Sequence, residues 1–328
     1  MQNEFHNVDI SKIRFLVTGG AGFIGSNLVA YLVKHNAGHI RILDNLLTGN
    51  IENIRPFLNN ENVEFVNQDI RDYAACQEAC KDIDYISHQA ALGSVPRSVK
   101  DPVATHSINA TGFLHVLSAA KEQKVKRFVY ASSSSVYGDH PVLPKRESET
   151  GNPLSPYAVS KKTNELYAAV FAKTYGMEII GLRYFNVFGP NQSPEGAYAA
   201  VIPLFMRAAI HKEAPFIDGD GEQTRDFTFV DNAVQANIRA FFATHPEATN
   251  QIYNVAVGER LSINDIYGMI AALAGSSIKA NHRESRAGDI RDSLADISKA
   301  EKLLNYAPTV KAKEGLARTF EWFVNNAR

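Results

Sequence analysis

An apolar run, Arg14–Thr18, leads straight into Gly19-Gly20-Ala21-Gly22-Phe23-Ile24-Gly25, and a helical pattern follows over Asn27–His35. This junction constrains the fold more than any other feature of the chain. Glycines at this spacing (Gly19, Gly22, Gly25, or Gly20, Gly22, Gly25) permit a tight turn and let backbone approach a pyrophosphate. The helix that opens there turns its unpaired N–H groups and positive end toward the anion. A glycine turn by itself is weak evidence, but here strand, glycines, helix, second strand and terminal acid occur in order. The second strand, His39–Asp44, ends on a carboxylate about 20 residues past the glycines, where it can accept from ribose hydroxyls and would repel a 2′-phosphate. The expected cofactor is therefore NAD rather than NADP, although Asp44 before Asn45 also suits a plain turn. Asp69-Ile70, past a third strand, is placed either to cap an adenine edge or to start the next helix.

The rhythm continues through Val63–Asn67, Asp84–Gln89, Arg127–Ser132 and Glu178–Arg183, each followed by a helical stretch, with long helices expected near Pro102–Lys124 and Tyr157–Tyr175. Strands alternating with helices argue for an α/β fold, a doubly wound parallel Rossmann sheet. After about Asn186 the rhythm gives way to loops rich in Gly, Pro and Asn. This predicts a smaller C-terminal lobe closing over the carboxyl ends of the strands: a dinucleotide-binding domain over 1–185 and a mainly substrate-binding domain over 186–328, interleaved rather than linked. With 328 residues and 45% hydrophobic content, the chain is large enough for two lobes. A net charge of −1 offers no global field for nucleic acid or an anionic membrane, so a phosphate-bearing ligand must be held by local groups. No apolar run reaches membrane-spanning length, and Met1–Ser11 has no apolar signal segment. Cys76 and Cys80 lie four apart on one helix face with no further cysteine to complete a metal site, so they read as structural thiols. The expectation is a cytoplasmic protein without a metal centre.

Tyr157 and Lys161 stand i, i+4 in Tyr157-Ala158-Val159-Ser160-Lys161, on one helix face. Such pairs are common on helix surfaces. What changes the reading is the preceding strand, which ends in Ala131-Ser132-Ser133-Ser134-Ser135-Val136-Tyr137-Gly138 and so places hydroxyls where ligands of such sheets bind. A phenol is a poor base at neutral pH. A neighbouring ammonium and the positive nicotinamide are expected to favour its phenolate, making Tyr157 a general base.

Residues 13 to about 325 resemble the extended short-chain dehydrogenase/reductases, in the UDP-hexose 4-epimerase branch. The carrying segments are TGGAGFIG (18–25), LDN (43–45), SSSSVYG (132–138), PYAVSK (156–161), LRYFNVFGP (182–190), GDGEQTRDFTFVDN (219–232) and RAGDIRDSLADISKA (286–300). The wording ALGSVPRSV (91–99) and GAYAAVIP (196–203) looks like bacterial UDP-N-acetylglucosamine/UDP-N-acetylgalactosamine 4-epimerases of polysaccharide biosynthesis. The resemblance implies Tyr157, Lys161 and Ser133 as the catalytic centre, with Ser132 and Ser134 as neighbouring alternatives for the proton relay. It implies NAD contacts from Gly19, Gly22, Phe23, Ile24, Gly25, Asp44, Asn45, Asp69, Ile70, Gln89, Ala90, Ala91, Asn109, Tyr157, Lys161 and Tyr184. It assigns the UDP-sugar to Ser94, Arg97, Ser133, Ser134, Tyr157, Asn186, Ala200, Val201, Arg225, Arg286, Asp289 and Ser293. Guanidinium groups suit the diphosphate. It also implies a homodimer pairing the two long helices.

Two departures bear on substrate. Simple galactose epimerases usually carry Lys where this chain has Gly93, and Tyr where it has Ser293. The second leaves room for an N-acetyl group. The expected reaction interconverts UDP-GlcNAc and UDP-GalNAc through a 4-keto sugar, with UDP-Glc/UDP-Gal as a further pair. The alternatives are epimerisation of UDP-N-acetylglucosaminuronic acid, or a dehydratase or decarboxylase. The latter usually carry Asp or Glu within the segment Ser133–Ser135, which here is all serine. A non-catalytic dinucleotide sensor would commonly lack the Tyr157/Lys161 pair.

Overall fold

Seven strands, all parallel, make the central sheet: β1 Arg14–Thr18, β2 His39–Leu43, β3 Val63–Val66, β4 Tyr85–His88, β5 Arg127–Ser133, β6 Ile179–Tyr184 and an edge strand Gln251–Val255. The structure, a computed structural model, describes residues 4–195, 199–285 and 291–326. Spatial order runs edge strand, β6, β5, β4, β1, β2, β3. The winding reverses between β1 and β4, which creates a crevice at their carboxyl ends. The inner strands are apolar without alternation, as sheets covered on both faces require; every residue of β6 is buried. Phe15, Val17, Val129, Ile180 and Leu182 pack one face, and Leu16, Ile86, Phe128 and Tyr130 the other.

Three elements differ from the sequence expectation. The first helix spans Phe23–Lys34, so it starts inside the glycine motif. The helical run near 102–124 is interrupted. Pro102–His106 and Phe113–Glu122 are α-helical, but Ser107–Gly112 between them is a π-helical turn that re-aims Asn109. The edge strand Gln251–Val255 comes from the second half of the chain and pairs in register with β6, Gln251 to Ile180 through Val255 to Tyr184. The helix Val230–Phe241 also belongs to the sheet layer, burying Ala233, Ala236 and Phe241 in the same core as Phe15 and Ile180.

The remaining C-terminal segments form a second core of Phe188, Phe205, Met206, Phe227, Phe229, Ile266, Leu316 and Phe323. Two-residue strands tie this region together: Val187–Phe188 with Thr228–Phe229, and Thr224–Arg225 with Leu261–Ser262. Cys76 lies in the helix Tyr73–Ala79 and Cys80 caps it; both are buried free thiols. No helix among the described residues is long and apolar enough to cross a membrane.

Candidate active site

The glycine loop has the shape its spacing requires. Gly19 has φ +68, and a Cβ there would stand 2.6 Å from the Ala90 amide nitrogen, so the β1 and β4 loops touch at the crevice. A Cβ on Gly25 would stand 2.2 Å from the Gly19 carbonyl oxygen. Gly22 caps the helix with no side-chain cap, and the first turn carries no acidic residue. The leading N–H groups of Phe23, Ile24 and Gly25 are therefore left for an anion. Asp44, buried at the end of β2, accepts from the Ala21 amide at 3.0 Å and the Leu46 amide at 2.8 Å. Burial raises its carboxyl pKa, and those two N–H groups act against the rise. This cradle fits a dinucleotide pyrophosphate with a ribose beside Asp44.

The residues expected at the outer end of the cofactor are linked to one another. Asn45 donates to Asp69 at 2.8 Å, and Arg71 pairs with the same carboxylate at 2.6 Å. The side-chain bond of Arg71 comes first among the groups holding Asp69 below the usual carboxylate range. The following helix is capped by Asp72, which accepts from Ala75, and not by Asp69. Ile70 is buried against Gly112, where a Cβ would come within 2.6 Å of it. Under the crevice, the Gln89 amide donates to Ser87, Tyr184 and Asn237, and Asn237 donates to the Tyr184 hydroxyl at 2.7 Å. Asn109 is fully buried. It accepts from the Leu92 amide at 2.7 Å and donates to the Leu92 carbonyl and to Ser160. It thus positions the segment that carries Ala90 and Ala91.

The helix Pro156–Tyr175 begins with Ser155 accepting from the Ala158 amide and Pro156 in the first turn. This start sets Tyr157 over the carboxyl end of β5. There its phenol stands beside the side chain of Ser133, whose hydroxyl accepts from the Ser135 amide at 3.1 Å. Ser132 faces the other way and donates to Glu165 at 2.6 Å. The alternation of a strand thus separates the two hydroxyls and leaves Ser133 beside the phenol. Lys161 is 2% exposed, donates to the Ala131 carbonyl at 2.8 Å, and sits 5.9 Å from the Tyr157 ring centre.

Burial raises the Tyr157 pKa, and the Ser133 side chain acts against the rise. Burial brings Lys161 down to about 8, against the attraction of Glu165. His88, beneath the site and 2.9 Å from the Thr18 hydroxyl, is brought down to about 3 by burial and by the Lys161 charge, so it is neutral.

The residues expected on the substrate side come from five segments. Ser94, at φ +113, caps the helix Val95–Lys100 by accepting from the Arg97 amide. A Cβ at Gly93 would meet nothing within 4 Å. Asn186, at φ +34, donates to the Asp226 carbonyl at 3.1 Å. Ala200 caps the helix that begins at Val201. Arg225 donates to the Thr224 carbonyl at 2.9 Å and the Arg291 carbonyl at 3.2 Å. Ser293 is 9% exposed, so it does not simply face solvent, and its amide donates to the Thr224 carbonyl at 3.1 Å. Arg286 and Asp289 lie outside the described residues.

Three supporting groups escaped the sequence reading. Glu165 makes a buried two-point ion pair with Arg183, at 2.8 and 2.9 Å. Its position i+4 from Lys161 was the available signal. Asn237 anchors Tyr184. Asp226, fully buried, accepts from the amides of Val257, Gly258 and Ala295 and rises to about 6 through burial. It joins the segments holding Asn186, Arg225 and Ser293.

Residues 15–256 match the family model described as the NAD dependent epimerase/dehydratase family. A UDP-glucose 4-epimerase of Mycolicibacterium smegmatis is 36% identical, covering 96% of this chain and all of that one. A solved UDP-N-acetylglucosamine 4-epimerase from Methanobrevibacter ruminantium, in complex with UDP-N-acetylmuramic acid, superposes with a TM-score of 0.89 at 40% identity, covering 95% of this chain and 98% of that one. The Thermus thermophilus UDP-glucose 4-epimerase, solved with NAD, gives 0.86 at 33% identity over 96% and 100% of the two chains.

Proposed function

The chain belongs to the NAD-dependent epimerase/dehydratase family and is an enzyme of the UDP-sugar 4-epimerase kind; on that premise we propose that it interconverts UDP-N-acetylglucosamine and UDP-N-acetylgalactosamine. Bound NAD would supply the acceptor, and then the donor, of the hydride at sugar C4. The glycine loop and the start of the helix Phe23–Lys34 hold its pyrophosphate, Asp44 a ribose, and Lys161 the nicotinamide ribose. Tyr157 takes the proton of O4, and Ser133, beside that phenol, steadies the same oxygen and relays the proton. The resulting 4-keto sugar turns about its diphosphate link and presents its other face, and Tyr157 gives the proton back. Asn186, Arg225, Arg286 and Asp289 hold the uridine diphosphate through this turn. Charge-assisted contacts from the arginines suit its oxygens.

The observation that carries the N-acetyl preference is Ser293. Ser293 is small and buried, with its amide bonded to the Thr224 carbonyl, and the resemblance implies that a Tyr in its place crowds the sugar C2 substituent. The test is Ser293→Tyr, with kcat/KM measured for both sugar pairs by NMR. Crowding one pocket wall changes discrimination by about 10–200-fold. The ratio is expected to move by that order toward UDP-Glc/UDP-Gal, and an unchanged ratio removes Ser293 as the gate.

A homodimer is the second part of the proposal. The helix Pro156–Tyr175 presents Val159, Leu166 and Val170 at 50–60% exposure, and Val99 and Val103 stand at 64% and 77%. An apolar stripe of this kind suits a twofold helix pairing. Light scattering at micromolar concentration tests it, and a strictly monomeric mass refutes it. Among described residues the serine segment offers no carboxylate for removing water at C5/C6, which favours epimerisation over dehydration. The enzyme's place is proposed to be the cytoplasm, in polysaccharide or lipopolysaccharide precursor synthesis.

A further inference from the structure

At the opposite end of the first helix from the glycine loop, two histidines and a carboxylate converge. One potential ligand atom from each of Glu4, His6 and His35 lies within 4.8 Å of the others. Glu4 Oε1 is 3.5 Å from His35 Nδ1 and 4.0 Å from His6 Nε2. Ligand atoms around a tetrahedral zinc, bonded at about 2.0–2.1 Å, stand roughly 3.3–3.5 Å apart, so the two carboxylate–imidazole spacings lie within about 0.7 Å of a zinc site, and the third pair lies within 4.8 Å.

Three further features suit a cation at this point. His6 Nδ1 lies 2.7 Å from the Tyr31 hydroxyl, which fixes the ring and leaves Nε2 for a ligand bond, the second-sphere arrangement usual for metal-bound histidine. His35 is the C-cap of the helix Phe23–Lys34, whose C-terminal end carries the negative partial charge. Both imidazoles are held in place: His6 and His35 pack edge to face at 5.1 Å, Tyr31 lies 4.3 Å from His35, and Phe5 stacks on Tyr31 at 5.2 Å. His6 and His35 side chains are 6% and 13% exposed, whereas Glu4 is 66% exposed, so the cluster is built on its protein side and open on the other. Arg239 is a positive charge that lowers the His6 pKa and acts against a cation here.

We propose that Glu4, His6 and His35 form a site for one divalent transition metal of the zinc class, clamping the segment around residues 4–6 to the end of the first helix. Two imidazole nitrogens and one carboxylate oxygen select Zn, Ni, Co or Cu over the oxygen-seeking Mg and Ca. A helix of 12 residues spans about 18 Å, so the site stands clear of the cofactor cradle and is independent of the substrate assignment.

The test uses the full chain, stripped with EDTA and titrated with Zn(II) by calorimetry, alongside His6→Gln, Glu4→Gln and Tyr31→Phe. The expected result is one zinc per chain and a thermal midpoint raised by zinc. Tyr31→Phe should weaken affinity by about 10–100-fold. His6→Gln and Glu4→Gln should weaken it at least tenfold, and millimolar Mg(II) should not displace the zinc. Glu4→Gln alters an exposed side chain and leaves the packing of the rings intact, so it separates loss of a ligand from loss of folding. Failure to take up zinc, or uptake equal in wild type, His6→Gln and Glu4→Gln, overturns the proposal.

Discussion

Replacing Lys161 with Met should make the cofactor-free protein more stable and the enzyme worse. Lys161 is 2% exposed and its ammonium is brought from an ordinary 10.5 to about 8, chiefly by burial. The folded state therefore resists protonation that the unfolded chain accepts. At pH 7 that mismatch costs about 3 kcal/mol, at 1.36 kcal/mol per pKa unit. The sign follows from proton counting. Between about 8 and 10.5 the unfolded chain binds more protons, so wild-type stability rises with pH across that window; below 8 the cost is constant. Near pH 9.5 it is roughly half its neutral value. Methionine carries no such cost but forfeits the hydrogen bond to the Ala131 carbonyl, worth about 1 kcal/mol. The net gain is about 2 kcal/mol at pH 7, a rise of several degrees in Tm, and close to nothing at pH 9.5. The assay is thermal unfolding of both proteins after NAD removal at the two pH values, with turnover measured in parallel. A variant less stable than wild type at pH 7, or a difference that does not shrink with pH, refutes the reasoning. A large fall in turnover beside a gain in stability would show a buried charge retained for chemistry at the expense of the fold.

Tyr157→Phe deletes the proton-accepting oxygen and leaves the ring. Turnover should fall by about 10²–10⁴-fold with NAD still bound, and retention of the wild-type rate in an NMR epimer assay contradicts the base assignment. Asp44→Ala should weaken NAD binding and narrow the preference over NADP; it also frees the Ala21 and Leu46 amides. Titration with both cofactors checks this, and unchanged discrimination removes Asp44 from the ribose. Asp226→Asn puts an amide NH₂ against the Val257, Gly258 and Ala295 donors and should cost about 1–3 kcal/mol. Because Asp226 is raised to about 6, it also makes wild-type stability fall as pH rises from about 4 to 6, and the variant should lack that slope. Denaturant titration at pH 4 and 7 resolves both effects.

The parts legible in the sequence share one property: their chemistry and their geometry are local. The glycines, Asp44 and the Tyr157–Lys161 pair are spaced along single elements, so counting residues places them. Strand alternation would equally have separated Ser132 from Ser133, but only the position of Glu165 shows which of the two points toward the phenol. The edge strand Gln251–Val255 was hidden because its partner, β6, lies some seventy positions away and its own neighbours read as loops. The π-helical turn at Ser107–Gly112 has no periodic signature of its own; it carries Asn109, which bonds the Leu92 backbone. The burial that raises the Tyr157 pKa was likewise not legible, because charge is visible in the residues and burial is not.

The edge strand also governs how the chain can be assembled. Residues 1–185 form six strands in order, yet β6 stays unpaired on one side until Gln251–Val255 arrives. During synthesis, β6 must wait as an open ladder of N–H and C=O groups while the intervening chain is made, and such edges are where partly built sheets stick to one another. A fragment ending near residue 185 is therefore expected to be insoluble. Supplied in trans, a fragment carrying 186–328 should rescue it by providing the missing strand, which makes this enzyme a natural candidate for a split reporter.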